Sequence, residues 1–290
     1  MFQGSIPALI TPFKNGKVDE QAFQDHVEWQ IEQGSDALVP VGTTGESPTL
    51  SHDEHRRVVE LCLEAAKGRV PVIAGTGSNN TAEAVSLQKH AKEAGANAGL
   101  VVTPYYNKPT QAGLIAHYKA IHDAVDLPII IYNIPGRSVI NMTTETMAEL
   151  SKLKNIVGVK DATGDLTRPL DTYQACGGNF CQLSGEDATA VQFLSAGGHG
   201  CISVTANIAP KLCSDMQRAW REGDVQKAME IQFQLLPVHN AMFCESSPGP
   251  VKYAAELMGR CSSETRLPLV EISDSSKETV RNALTGAGLI

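Results

Sequence analysis

Basic charge is scarce in this chain. Lysine and arginine number 24 against 32 aspartate and glutamate, which leaves a formal net charge of −8 and a pI near 5.5. A nucleic-acid binder needs a basic face, so that class is excluded. A small anionic substrate has to be met by local positive charge rather than by the overall field. Charge of either sign is sparse, at 19% of residues against 42% hydrophobic, and this leaves material for a large core and excludes a disordered chain. Paired cysteines are missing too. The seven, Cys62, Cys176, Cys181, Cys201, Cys213, Cys244 and Cys261, are odd in number, scattered and without a C-x-x-C spacing. That excludes a disulfide framework and fits reduced thiols in the cytoplasm, with Cys201 a small core residue. No apolar run approaches the ~18 residues of a membrane span. Met1–Pro7 lacks the basic and apolar regions of a signal peptide. A cytoplasmic protein with no membrane and no nucleic-acid partner is expected.

What is present is a repeat. From the N-terminus to Asn207, short β-branched runs alternate with turns and amphipathic helices. The runs are 5–11, 37–41, 70–74, 98–103, 128–133, 156–160, 180–184 and 200–205. Most are continuous apolar stretches, the mark of parallel strands buried on both faces. Ser51-His52-Asp53-Glu54 reads as a capping box, Thr110 and Thr143 as N-caps, and Gly34 and Gly95 as helix stops. Eight β/α units close most economically into an α/β (β/α)8 TIM barrel over residues 1–207. A helical extension, 208–290, is expected to pack on its side. Gly75-Thr76-Gly77 does not complete a dinucleotide fingerprint and reads as a tight turn. Gly197-Gly198-His199-Gly200 reads as the turn into the eighth strand rather than a phosphate site.

In such barrels the chemistry gathers where the strands end. The sixth ends in Lys160, a lone lysine after an apolar run and just before Asp161-Ala162-Thr163-Gly164. Desolvation favours the neutral form of an amine in general, and a neutral amine condenses with ketones. The bland alternative is an ion pair with Asp161. The same rim carries Thr43 and Thr44, Tyr105 and Tyr106, Tyr132 and Arg137, a set suited to a carboxylate and a carbonyl. A phenol shuttles protons, and a guanidinium grips a carboxylate with two hydrogen bonds.

Gly42-Thr43-Thr44-Gly45-Glu46, Tyr132-Asn133-Ile134-Pro135 and Val159–Gly164 resemble the pyruvate-dependent class I aldolase family, which includes dihydrodipicolinate synthases and N-acetylneuraminate lyases. The resemblance spans essentially the whole chain, and 102–107 with 198–207 look like the synthase branch. It implies an imine between Lys160 and pyruvate, then enamine attack on L-aspartate 4-semialdehyde, with no cofactor. It implies a proton relay of Tyr132, Thr43 and Tyr106, with Tyr106 entering from a neighbouring subunit of a homo-oligomer, a tetramer built as a dimer of dimers. Thr44, Arg137, Gly185 and Ile202 would hold the substrates. Ser47, Pro48, His52, His55, Asn79, Glu83 and Tyr105, a cluster apart from the rim, match a feedback site for L-lysine. His52 and His55 share a helix face, but further ligands are not evident, so no metal is assigned. Departures are Asp161 where the family usually has glutamate, Pro48 where small residues are common, and Ser247 in place of an asparagine. Another aldolase of the family, a metal-dependent aldolase and a silent ligand-binding barrel are the competing readings. Arg137 with the Tyr105-Tyr106 pair disfavours the first, and the intact set of Lys160, Tyr132, Thr43 and Arg137 the last.

Overall fold

A computed structural model describes all residues, 1–290. In chain order the elements are β1 (Gly4–Pro7), a hairpin of β2 (Phe13–Lys14) and β3 (Lys17–Val18), α1 (Glu20–Glu32), α2 (His52–Ala66), β4 (Ile73–Gly75), α3 (Thr81–Ala94), β5 (Ala98–Val102), α4 (Gln111–Ala124), β6 (Ile129–Asn133), α5 (Pro135–Ser138), α6 (Thr144–Leu150), β7 (Ile156–Asp161), α7 (Arg168–Cys176), β8 (Cys181–Ser184), α8 (Ala190–Ser195), β9 (Gly200–Ser203), α9 (Pro210–Arg221), α10 (Val225–Ala241), α11 (Gly249–Leu257) and α12 (Asp274–Gly286). Seven strands form one parallel sheet in the order β1-β9-β8-β7-β6-β5-β4. Single bridges, Ala8 to Val39 and Leu38 to Val72, join its two ends. The result is a closed (β/α)8 barrel. No helix is long and apolar enough to cross a membrane.

The expected strand over 37–41 is the weak seam, reduced to those two bridges. Pro7, Pro40 and Pro71 all lie along it and offer no N–H to a ladder. Pro7 and Pro71 serve only as acceptors, for Val39 and Leu38. Val41 then leaves the extended region altogether, at φ +50°.

Helix ends follow the sequence closely. The capping box at Ser51 and Glu54 is complete, and Thr110 and Thr143 accept from Gly113 N–H and Thr146 N–H. Gly34 and Gly95 follow α1 and α3 at positive φ. The β2–β3 hairpin and α5 are additions to the expected elements. The Gly75–Gly77 segment is a correction, because the chain runs on rather than turning there. A Cβ on Gly75 would lie 2.3 Å from the Val41 carbonyl oxygen, and one on Gly77 2.4 Å from Val102 N. These glycines serve close backbone packing.

Inside the barrel, Ile6, Val39, Ile73, Leu100, Ile130, Leu183 and Ile202 form an apolar plug beneath the mouth. A larger cluster joins Ile10, Val191 and Cys201 to Met216, Leu235, Val251 and Leu284 of the last four helices. Tail and barrel thus share one core.

Candidate active site

Strand register sets the first pair of site residues. Tyr132 lies opposite Lys160 across β6 and β7, and Asn133 lies opposite Asp161. Side chains directly opposite on a sheet share a face, and consecutive ones alternate. Lys160 and Tyr132 therefore turn the same way, and the amine sits 4.2 Å from the ring centroid. Both residues are only 6% exposed. The amine joins no ion pair and no hydrogen bond, and it is not among the sealed polar atoms of the chain, so it faces the open barrel mouth.

Asp161, turned to the other face, does not pair with Lys160. Its carboxylate binds Arg168 of α7 at 3.0 Å and accepts from the Thr163 backbone at 2.9 Å and hydroxyl at 2.6 Å. Arg168 also donates to the Met142 carbonyl. The bland alternative is thereby overturned by the alternation of the strand. Gly185 follows β8, donating to the Asp161 carbonyl at 2.6 Å. A Cβ there would press on Ala162 at 2.6 Å and on Lys160 Cε at 3.1 Å, so glycine leaves room for the lysine stem. Ile202 is buried in β9 opposite Ile6. Beside them, burial and then Asp187 push the Glu186 carboxyl up, against the pull of Lys160.

Thr43 and Thr44 sit on a turn between two non-glycine residues in the left-handed region, Val41 at φ +50° and Glu46 at φ +55°. For a β-branched residue such a conformation costs roughly 1–3 kcal/mol and persists only where surroundings enforce it. Glu46 and Ser47 N–H groups return to Thr43 and Gly42 carbonyls, and Thr11 donates its hydroxyl to the Gly45 carbonyl at 2.7 Å. Glu46 is itself buried, paired with Lys252 of α11 at 2.7 Å. Sequence reasoning missed Lys252. Its signal, a lone lysine in the apolar run Pro250-Val251-Lys252-Tyr253-Ala254-Ala255, is the one that singled out Lys160.

The expected regulatory residues line a cavity of about 210 Å³. Ser47, Pro48, His52, His55, Glu83 and Tyr105 surround it, and so do Thr43 and Tyr132. The cluster is therefore not apart from the rim, because Thr43 and Tyr132, two residues of the expected relay, share its walls. His52 holds Glu83 at 2.8 Å. The Ser78 hydroxyl, ahead of His52, keeps the Glu83 carboxyl below its usual range. Burial pushes the His55 imidazole down to about 4 and, with Glu83 beside it, the Tyr105 phenol up. Asn79 lies outside the lining, its carbonyl taken by Asn107 at 2.8 Å. Tyr106 projects from the chain at 88% exposure and φ +72°. Arg137 is exposed on α5, directly after β6.

A family model described as the Dihydrodipicolinate synthetase family matches residues 1–287. The chain belongs to that family. A relative from Rhodospirillum centenum named 4-hydroxy-tetrahydrodipicolinate synthase is 67% identical over 290 residues, covering 100% of both chains. Two solved structures of dihydrodipicolinate synthases superpose closely. The Acinetobacter baumannii enzyme, chloride-inhibited and complexed with pyruvate, is 48% identical at TM-score 0.98 over 100% of both chains. The Cyanidioschyzon merolae enzyme with lysine bound is 39% identical at TM-score 0.97, over 100% of this chain and 99% of that one. Membership of the dihydrodipicolinate synthetase family bears out the resemblance carried by Gly42–Glu46, Tyr132–Pro135 and Val159–Gly164.

Proposed function

We propose that the chain condenses pyruvate with L-aspartate 4-semialdehyde through a Schiff base on Lys160, giving 4-hydroxy-tetrahydrodipicolinate on the route to diaminopimelate and lysine. The observation that carries this is the unpartnered Lys160 amine facing the barrel mouth beside the Tyr132 ring. Lys160 Nζ attacks the ketone carbon of pyruvate, and the oxygen leaves as water with a proton delivered by Tyr132. The iminium draws off the electrons of a methyl C–H bond while the Tyr132 phenolate takes the proton, and the enamine carbon so formed attacks the aldehyde, whose oxygen takes that proton back from Tyr132. The substrate's own amine then displaces Lys160 and closes the ring. Thr44 holds the ketoacid carboxylate, and Gly185 and Ile202 add backbone groups around it. Arg137 takes the carboxylate of the semialdehyde in a two-point grip.

Tyr106 reaches the site of a neighbouring copy and completes the relay of Tyr132 and Thr43, which makes the working unit at least a dimer. A tetramer of two such dimers, in the cytoplasm, is the assembly this reading favours. The exposure of Tyr106 supports that role. L-lysine acts as an inhibitor in the cavity of Ser47, Pro48, His52, His55, Glu83 and Tyr105, with Asn79 at its edge. The lysine-bound relative supports this assignment.

Incubation with pyruvate followed by borohydride tests the reaction. Mass spectrometry is expected to place a reduced adduct on Lys160, and no adduct there would end the imine proposal. Turnover with aspartate 4-semialdehyde, set against sugar acids, tests the second substrate. Activity unaffected by millimolar L-lysine would remove the regulatory assignment.

A further inference from the structure

Glu46 closes the Gly42–Glu46 motif, yet the chemistry above gives it no task. Its carboxylate is enclosed, with 1% of the side chain exposed, and the Lys252 side chain facing it has 0% exposed. One oxygen takes the Lys252 ammonium, and the other takes the Arg266 backbone N–H at 3.0 Å. Lys252 also donates to the Thr11 carbonyl at 3.0 Å, while the Thr11 hydroxyl donates to Gly45. Arg266 carries the clamp onward to the Thr49 carbonyl and the Glu54 carboxylate. Both long cations lie over the Phe13 ring, Lys252 at 4.1 Å and Arg266 at 4.3 Å. The tail thus holds the turn from both sides.

We infer that the buried Glu46–Lys252 ion pair, completed by Arg266, is a positioning device that holds the Thr43–Thr44 turn in its strained form and so sets the affinity for the ketoacid. The inference rests on the reading of Thr44 as the carboxylate holder. A buried ion pair is a poor source of stability, since apolar residues of like volume serve as well or better. What it adds is direction, because both carboxylate oxygens are fixed by donors from the tail. The turn needs such fixing. Val41 and Glu46 bracket it in conformations that would relax if left free. Glu46 and Lys252 touch neither Lys160 nor Tyr132 by any hydrogen bond or ion pair. Their effect must pass through the turn.

The test uses the full chain carrying Glu46→Gln and Lys252→Met together, which leaves no unpaired charge. Pyruvate KM is expected to rise about 10-fold or more, as small misplacements of a binding group do. KM for the aldehyde substrate stays within about 2-fold, and borohydride still labels Lys160 at saturating pyruvate. Should the double variant fail to fold, Glu46→Asp, which withdraws the carboxylate by one methylene, is expected to raise pyruvate KM in the same way. An unchanged pyruvate KM in the folded variant overturns the inference. Thr44→Val is the separate arm. If it leaves pyruvate KM unchanged, the reading of Thr44 fails, whereas a rise there without a rise in the double variant removes the ion pair's role alone.

Discussion

Two of the chain's lysines are buried, one at the barrel mouth and one in the helical tail, and their surroundings differ. Lys252 is met by a carboxylate, a backbone carbonyl and an aromatic ring. Burial pushes its ammonium down, and Glu46 opposes that shift. Lys160 is met by the Tyr132 ring alone. The nearest acid in sequence, Asp161, is turned away and occupied by Arg168. Burial by itself therefore does not mark a reactive amine. A lysine with its counter-charge is structure, whereas a lysine left open beside a phenol is available for bond formation.

The largest effect that sharpens this contrast is expected from Lys160→Ala. Activity should fall by about 10⁴-fold or more, as for loss of a covalent nucleophile, while the thermal midpoint stays close to that of the parent. Turnover with a melting curve checks both. Borohydride labelling at Lys252 in that variant would break the contrast outright.

Lys252→Met should show the converse. Glu46 is left as a buried carboxylate without a counter-ion, which costs about 3–5 kcal/mol. For a chain of this size that corresponds to a fall in melting midpoint of roughly 5–15 °C. A variant as stable as the parent would show that the pair is dispensable and that the two lysines differ less than their neighbours suggest.

The histidines sort by the same rule. His52 pairs with Glu83 at the surface, whereas His26, His55 and His117 are buried and form no ion pair, and burial pushes each down to about 4. Their folded values lie below the unfolded value of about 6.5. As pH falls through that window the unfolded chain takes up protons that the folded one refuses, so stability falls from about pH 6.5 toward pH 4. His117→Gln, outside every site described above, should flatten the decline between pH 7 and pH 5 by about 2 kcal/mol. Denaturant unfolding at the two pH values measures it, and an unchanged slope would show that burial does not hinder protonation of His117 in the fold.

Much of this was legible in the sequence, for physical reasons. Continuous apolar runs mark barrel strands, and the ends of those runs mark the rim where chemistry gathers. Lys160 and Tyr132 could be placed together on that basis. The weak second strand was not legible, because three prolines in separate segments meet only once the barrel closes. The glycines at 75 and 77 look like a turn until the strands beside them are known. Glu46 and Lys252 lie 206 residues apart, and no local pattern links a motif glutamate to a helical lysine that far along. The cavity shared by Thr43, Tyr132 and the histidine cluster depends likewise on side-chain packing between β/α units.

The smallest effect is expected at Asp161, the one motif position where this chain departs from the family's glutamate. The departure is intelligible from its partners. The shorter side chain reaches Arg168 and caps Thr163 at once, with one oxygen on each, and none of these contacts lies on the Lys160 face of β7. Lengthening it by Asp161→Glu forces a methylene into a well-filled site, which costs about 1–3 kcal/mol in general. The Arg168 pair can survive with small shifts of α7, so the loss should lie at the low end. Turnover should stay within about 3-fold of the parent, since the geometry of Lys160 against Tyr132 is set by strand register and not by this carboxylate. Steady-state rates and borohydride labelling measure that directly. A large loss of labelling in a folded Asp161→Glu chain would mean that the outward face of β7 does reach the imine, and that the separation between the two faces of the strand is weaker than their hydrogen bonds suggest.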